Sequence, residues 1–273
     1  MMATTPSPHA SIQSMRRMLA GTVIFVAALY LLLCAGLFFF QRSLLYFPPP
    51  ANAADAARTA MQAQGLTLAV TTRSVPGDAA VVYFGGNAED VSFSLPDLAA
   101  AFPSHSLYLL HYPGYSGNAG SPNEAAIRQA ALALFDAVHR DHAKVIVIGR
   151  SLGSGVAIGV AAQRPVERLV LVTPYDSIVD IAAGQFPFVP VRWIMLDKYE
   201  SWRYVPQVKA PTTIVVAQFD EVIPAASSRR LFERFGPGAA SYLTIASTGH
   251  NTISQSADYV RALSGLPTSS IQP

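Results

Sequence analysis

Leu19 to Phe40 is a run of 22 residues without a charge, 19 of them apolar, and it constrains the chain more than any other feature. As a helix rising 1.5 Å per residue it measures about 33 Å, enough to cross a hydrocarbon core of about 30 Å. A cleaved signal peptide would carry a shorter apolar part ending in small residues, whereas here Leu37-Phe38-Phe39-Phe40 runs straight on. Residues 19–40 therefore read as a transmembrane helix, 1–18 as a disordered tail and 41–65 as a linker that includes Pro48-Pro49-Pro50. Arg16 and Arg17 stand before the span and Arg42 after it, a bias that puts the short N-terminus in the cytoplasm and the large domain on the non-cytoplasmic side.

Past the span the chain is expected to fold as one domain, residues 66–273. From Ser43 onward 16 basic residues face 17 acidic ones, so nothing marks a nucleic-acid surface. Cys34 is the single cysteine, which excludes an intramolecular disulfide, and no zinc-ligand spacing is present. Short apolar segments at Leu66–Thr71, Ala80–Phe84, Leu107–Leu110, Val145–Ile148, Leu169–Val172, Thr213–Ala217 and Tyr242–Ile245 alternate with helical stretches. That alternation calls for a mostly parallel sheet with helices on both faces. Ser121-Pro122-Asn123-Glu124 predicts a helix start, with Ser121 as cap and a body running to about His139.

The chemistry concentrates at Val145-Ile146-Val147-Ile148-Gly149-Arg150-Ser151-Leu152-Gly153-Ser154-Gly155. An apolar strand, G-x-S-x-G and then a helical pattern is the context of a nucleophile elbow, a strained turn that lifts the serine hydroxyl off the sheet edge. The partners that accompany such an elbow follow in the order Ser, acid, His. His250, in Thr248-Gly249-His250-Asn251, alone follows the last strand and is the expected base. Asp220, just past the strand ending at Ala217, is the expected acid, with Asp176 as its rival and Glu221 as a solvated neighbour. His105, His139 and His142 fall at polar ends of elements and read as solvated, and His111 ends a strand. The Leu152 N–H opens the helix after the serine and suits an oxyanion hole. A second donor is expected from Phe84-Gly85-Gly86-Asn87-Ala88, where we assign the Asn87 N–H.

At these residues the chain resembles the membrane-anchored α/β-hydrolases of the serine aminopeptidase-like type, relatives of the bud-emergence proteins and the depalmitoylating hydrolases. The resemblance runs from Phe40-Gln41-Arg42-Ser43-Leu44-Leu45-Tyr46-Phe47-Pro48 through Phe84-Gly85-Gly86-Asn87-Ala88, Tyr112-Pro113-Gly114-Tyr115-Ser116-Gly117 and Gly149-Arg150-Ser151-Leu152-Gly153 to Asp220-Glu221-Val222-Ile223-Pro224 and Gly249-His250-Asn251. The family usually carries His where this chain has Gly85. The resemblance implies the α/β-hydrolase fold, with Ser151, Asp220 and His250 as the catalytic triad.

The expected function is a membrane-anchored serine hydrolase that cleaves a carboxylic ester or thioester of a small or lipid-like acyl substrate, with no cofactor or metal. In this fold residues 175–208 fall where a small helical lid is inserted. Phe186, Phe188, Trp193 and Met195 in that insertion are candidate walls of an acyl pocket, or else the packing core of the insertion itself. A serine peptidase with the same triad is the alternative enzyme, with Glu124, Asp176 or Asp180 available to hold a substrate amine. A non-catalytic membrane-anchored scaffold on the same fold is the alternative outside enzymes.

Overall fold

The computed structural model describes residues 8–51, 55 and 57–268. Helix α1, Pro8–Leu45, is longer at both ends than the uncharged run and is the one helix among the described residues with the length and hydropathy to cross a membrane. The tail expected to be disordered is helical from Pro8 onward, while residues 1–7 lie outside the described residues. Once the apolar segment has nucleated the helix, each further residue adds one hydrogen bond, and proline is compatible with the first turn, where its missing N–H costs nothing.

Strand β1 (Arg58–Ala63) falls inside the segment read as linker. It pairs antiparallel with β2 (Leu66–Arg73) across a two-residue turn, Gln64-Gly65, both at positive φ. Two positive-φ residues match the right-handed twist of the flanking strands and close a tight hairpin. The Ala-rich β1 has few of the branched residues that mark strands, so its pattern is faint in sequence.

The remaining elements are β3 (Ala79–Phe84), α2 (Leu95–Ala101), β4 (Ser106–Leu110), α3 (Glu124–Asp141), β5 (Lys144–Arg150), α4 (Leu152–Ala161), β6 (Arg168–Val172), α5 (Ile178–Gln185), α6 (Val191–Ile194), β7 (Thr212–Ala217), α7 (Ala225–Phe232), β8 (Ala240–Ile245) and α8 (Ala257–Ser264). The strands form one eight-stranded sheet in the order β1-β2-β4-β3-β5-β6-β7-β8, antiparallel at the β1 edge and parallel from β4 to β8. Central strands such as β3 and β5 are apolar at nearly every position because both faces are covered. One core joins the sheet to α3 and α4, through Ile127, Leu134, Val156 and Val160. The other joins it to α2 and α8, through Leu98, Tyr259 and Leu263.

Helix α3 starts two residues later than the pattern of its first turn suggests. Asn123, extended at φ −159°, is the cap and accepts from the Ala126 N–H at 2.9 Å. Glu124 is then free to pair with Arg128 and to accept the Tyr199 N–H at 3.0 Å, which ties α3 to the insertion. That insertion holds α5, α6 and two short 3-10 turns at Ser201–Arg203 and Val205–Gln207.

Candidate active site

The buried strand β5 runs into Ser151 at φ 48° and ψ −117°, and α4 begins at the next residue. A non-glycine residue in that region costs on the order of 1–3 kcal/mol and is held there only by its surroundings. Here the Ser151 N–H is anchored on the Val172 carbonyl of β6 at 2.8 Å. The flanking glycines permit the crossing: a Cβ on Gly149 would overlap the Gly153 carbonyl, and a Cβ on Gly153 would overlap the Phe84 and Gly85 carbonyls. Gly153→Ala is therefore expected to destabilise the fold by about 1–3 kcal/mol or more, seen as a lowered Tm in detergent. Gly236→Ala, where a Cβ meets open space, serves as the unchanged control.

Asp220 leaves the loop after β7, where the Val222 and Ile223 N–H groups donate to its Oδ1 at 3.0 and 2.7 Å. His250 lies in the loop after β8 with its side chain 7% exposed, and its Nδ1 stands 3.0 Å from both Asp220 oxygens. Its Nε2 is 3.0 Å from Ser151 Oγ. A carboxylate only accepts, so Nδ1 carries the proton and Nε2 is left to accept from the serine hydroxyl. Residues 69 and 99 positions apart from or beyond Ser151 in the chain thus meet in one hydrogen-bonded line at the C-terminal edge of a parallel sheet, where ligand sites of such sheets form.

Two charged groups hold the histidine loop. Glu221, exposed to solvent as expected, also accepts the His250 N–H at 2.9 Å, a bond that lowers its carboxyl pKa and braces the loop. Arg150 donates to the His250 carbonyl at 3.3 Å and stands 3.6 Å from Glu89. The rival acid Asp176 is buried elsewhere, accepting from Ser227 Oγ at 2.5 Å and from Arg230 Nε at 2.6 Å.

The Gly85-Gly86-Asn87 loop, the candidate oxyanion loop, is organised by residues that carry no motif in the sequence. Glu89 accepts from the Gly86 N–H at 2.6 Å and from the Tyr83 and Ser94 hydroxyls at 2.7 Å each. A Cβ on Gly85 would run into Val91 and the Glu89 carboxyl, so a side chain at this position fits only if those neighbours shift. Tyr112 donates to the Gly85 carbonyl at 2.8 Å. The Asn87 side chain accepts from Tyr115 Oη at 2.7 Å and the Phe47 N–H at 3.1 Å, and donates to the Leu45 carbonyl at 2.5 Å. The end of α1 is thereby tied to the rim of the site. Both tyrosines and Leu45-Tyr46-Phe47 belong to the segments that carry the family resemblance, and that was the available signal.

The cleft at Ser151, about 410 Å³, is lined by Gly86, Asn87, Phe93, Asp97, Arg150 and His250 among others, and its walls are about equally polar and apolar. Burial raises the Asp97 carboxyl pKa against the opposing pull of Arg150. None of the expected acyl-pocket residues reaches this cleft. Phe188 and Trp193 are 88% and 89% exposed, while Phe186 and Met195 line a separate apolar cavity between the insertion and α1. The insertion leans on α1 instead of folding over the serine, because Gln41 and Arg42 bind its backbone and Asp197. His142, expected to be solvated, is buried beneath the Tyr108 hydroxyl at 2.9 Å. His111 is buried against Thr71 Oγ1 at 2.8 Å, with burial lowering its pKa.

Sheet order, strained serine turn and the loops gathered at one sheet edge define an α/β-hydrolase, and the chain belongs to that family. An uncharacterized protein of Mycobacterium tuberculosis is 32% identical over 249 residues, covering 83% of this chain and 87% of the relative. Protein bem46 of Schizosaccharomyces pombe is 27% identical over 186 residues, 63% of this chain and 61% of that protein. Lysophosphatidylserine lipase ABHD12 of Macaca fascicularis is 26% identical over 184 residues, 58% of this chain and 46% of the lipase. Among solved structures, Est1E from Butyrivibrio proteoclasticus superposes with a TM-score of 0.60 at 13% identity, over 77% of this chain and 97% of Est1E. Mouse alpha/beta hydrolase domain-containing protein 10 gives 0.59 at 14%, over 77% and 96%. No family model matches the chain.

Proposed function

We propose that the chain is a membrane-anchored serine hydrolase that cleaves carboxylic ester or thioester bonds through an acyl-enzyme. The observation that carries this reading is the unbroken line from Ser151 Oγ to His250 Nε2 and from His250 Nδ1 to Asp220, beginning at a serine in a strained backbone conformation. Ser151 attacks the acyl carbonyl as His250 takes its proton, and the tetrahedral oxyanion is held by the N–H groups of Leu152 and Asn87. His250 returns the proton to the departing alcohol or thiol, and Asp220 keeps the imidazole in the required tautomer. Water activated by His250 then releases the acid. The charged side chains of Asp97 and Arg150 in the cleft beside the serine suit a substrate with a polar group near the scissile bond. The lipase named among the relatives, together with α1, favours an amphiphilic, lipid-like ester. Arg16 and Arg17 favour a catalytic domain on the non-cytoplasmic side.

The peptidase reading loses its candidate amine acceptors, since Glu124, Asp176 and Asp180 are each paired with an arginine away from the cleft. A fluorophosphonate probe and a panel of p-nitrophenyl esters test the proposal on the full chain in detergent. Labelling with ester turnover is expected. Preference for peptides with a free amino terminus would move the reading to a peptidase, and absence of both labelling and turnover to a scaffold.

A further inference from the structure

The exposed aromatic residues of the insertion lie beside α1 at a depth that its membrane register can measure. Gln41 accepts the Leu196 N–H at 2.7 Å and donates to the Ile194 carbonyl at 3.1 Å, and Arg42 pairs with Asp197 at 2.9 Å. Eleven residues earlier on the same helix, the Tyr30 hydroxyl donates to the Phe188 carbonyl at 2.9 Å. The insertion therefore descends along α1 from residue 42 to residue 30. Cys34, Leu37 and Gln41, at helical spacing on one face, are partly covered, while Leu31, Leu32, Leu33, Phe39 and Phe40 remain bare.

If α1 crosses the bilayer with its uncharged run, Phe40 marks the boundary on the domain side. Tyr30 then sits about 15 Å beneath it, half the thickness of a hydrocarbon core. Phe188 would be carried below the headgroups. The composition of the insertion agrees with that depth: Ile181 to Val191 contains no charge, and the flanking Asp180 and Arg192 neutralise each other. Phe186, Phe188, Trp193 and Leu196 are 51%, 88%, 89% and 54% exposed. Trp193, close in sequence to the Gln41-bound Ile194, is placed at the boundary, the level that tryptophan favours. Apolar surface of this extent in water would be a liability, and in a leaflet it is solvated.

We infer that residues 181–196 form a second membrane element, immersed beside α1 in the leaflet from which the catalytic domain emerges. Its partner is the acyl-chain layer of that leaflet. The apolar cavity of about 230 Å³ between Leu37, Leu44, Ile178, Ile181, Phe186 and Met195 is accordingly filled by lipid chain. This rests on the reading of α1 as a membrane span.

The test uses the full chain in phosphatidylcholine vesicles containing acyl-brominated lipid, which quenches only tryptophan immersed in the chains. Trp202→Phe leaves Trp193 as the sole tryptophan. In a Trp193→Phe, Trp202→Phe background, Phe188→Trp reports the tip and Phe39→Trp reports α1. Circular dichroism and fluorophosphonate labelling verify each variant. The inference requires Phe188→Trp to lose most of its emission to lipid brominated deep in the chains and to resist aqueous iodide. Trp193 should respond most to shallow bromines. Quenching of Phe39→Trp by lipid with Phe188→Trp and Trp193 open to iodide would overturn the inference alone. Iodide access at all three positions would overturn the membrane reading of α1 along with it.

Discussion

Ser151→Ala is expected to lower ester hydrolysis by roughly 10³-fold or more and to abolish fluorophosphonate labelling, because it removes the proposed nucleophile from a hydrogen-bonded line whose members, in such triads, act as one unit. The side chain adds little packing, and alanine keeps the same Cβ and so the same backbone strain, so the melting temperature should move little. Asp220→Asn should be almost as damaging. An amide cannot accept the Nδ1 proton in the same way as a carboxylate, and the imidazole turns to the wrong tautomer. Asp176→Asn is the informative contrast, since Asp176 is committed to Arg230 and Ser227. Its effect should appear in stability, with kcat nearly unchanged. Full turnover in Ser151→Ala, or a larger kcat loss in Asp176→Asn than in Asp220→Asn, would refute the mechanism.

The second large effect concerns the tie between α1 and the oxyanion loop. Asn87→Ala keeps the backbone N–H proposed to bind the oxyanion but releases the loop from Leu45, Phe47 and Tyr115. Misplacing an oxyanion donor costs up to roughly 10²-fold in kcat, and KM should change far less because the cleft walls persist. Truncation provides an independent version of the experiment. A chain lacking residues 1–41 retains Leu45, Tyr46 and Phe47 and should hydrolyse soluble esters, in detergent that covers the surface left by α1. A chain lacking residues 1–47 loses both Asn87 partners on that segment and the buried Tyr46–Tyr199 hydroxyl contact at 3.0 Å. It should show the kcat loss of Asn87→Ala on top of a lower melting temperature. Equal activity of the two truncated chains would mean that the loop holds its shape without residues 42–47.

What could be read from the sequence alone was whatever local chemistry dictates. The apolar run at 19–40, the parallel strands with both faces covered, and the strand, elbow and helix around Ser151 each announce themselves within a short continuous stretch of chain. The order of Ser151, Asp220 and His250 along the chain picks out, from several acids and histidines, three groups that the fold brings into one hydrogen-bonded line. Strand β1 escaped because its Ala-rich sequence has little intrinsic preference, and only pairing with β2 across Gln64-Gly65 makes it a strand. Glu89 has no pattern that announces its role. Its carboxyl matters because the fold brings the Gly86 N–H, two hydroxyls and Arg150 to it. The aromatic residues of the insertion carried the right hydrophobicity and the wrong address. Hydrophobicity alone does not choose between a place over Ser151 and a place beside α1, because that driving force has no direction. The choice falls to directional bonds made across the chain, from Tyr30, Gln41 and Arg42 to the insertion. No local sequence signal encodes such contacts, because they exist only once residues more than 150 positions apart have been brought together by the folded sheet.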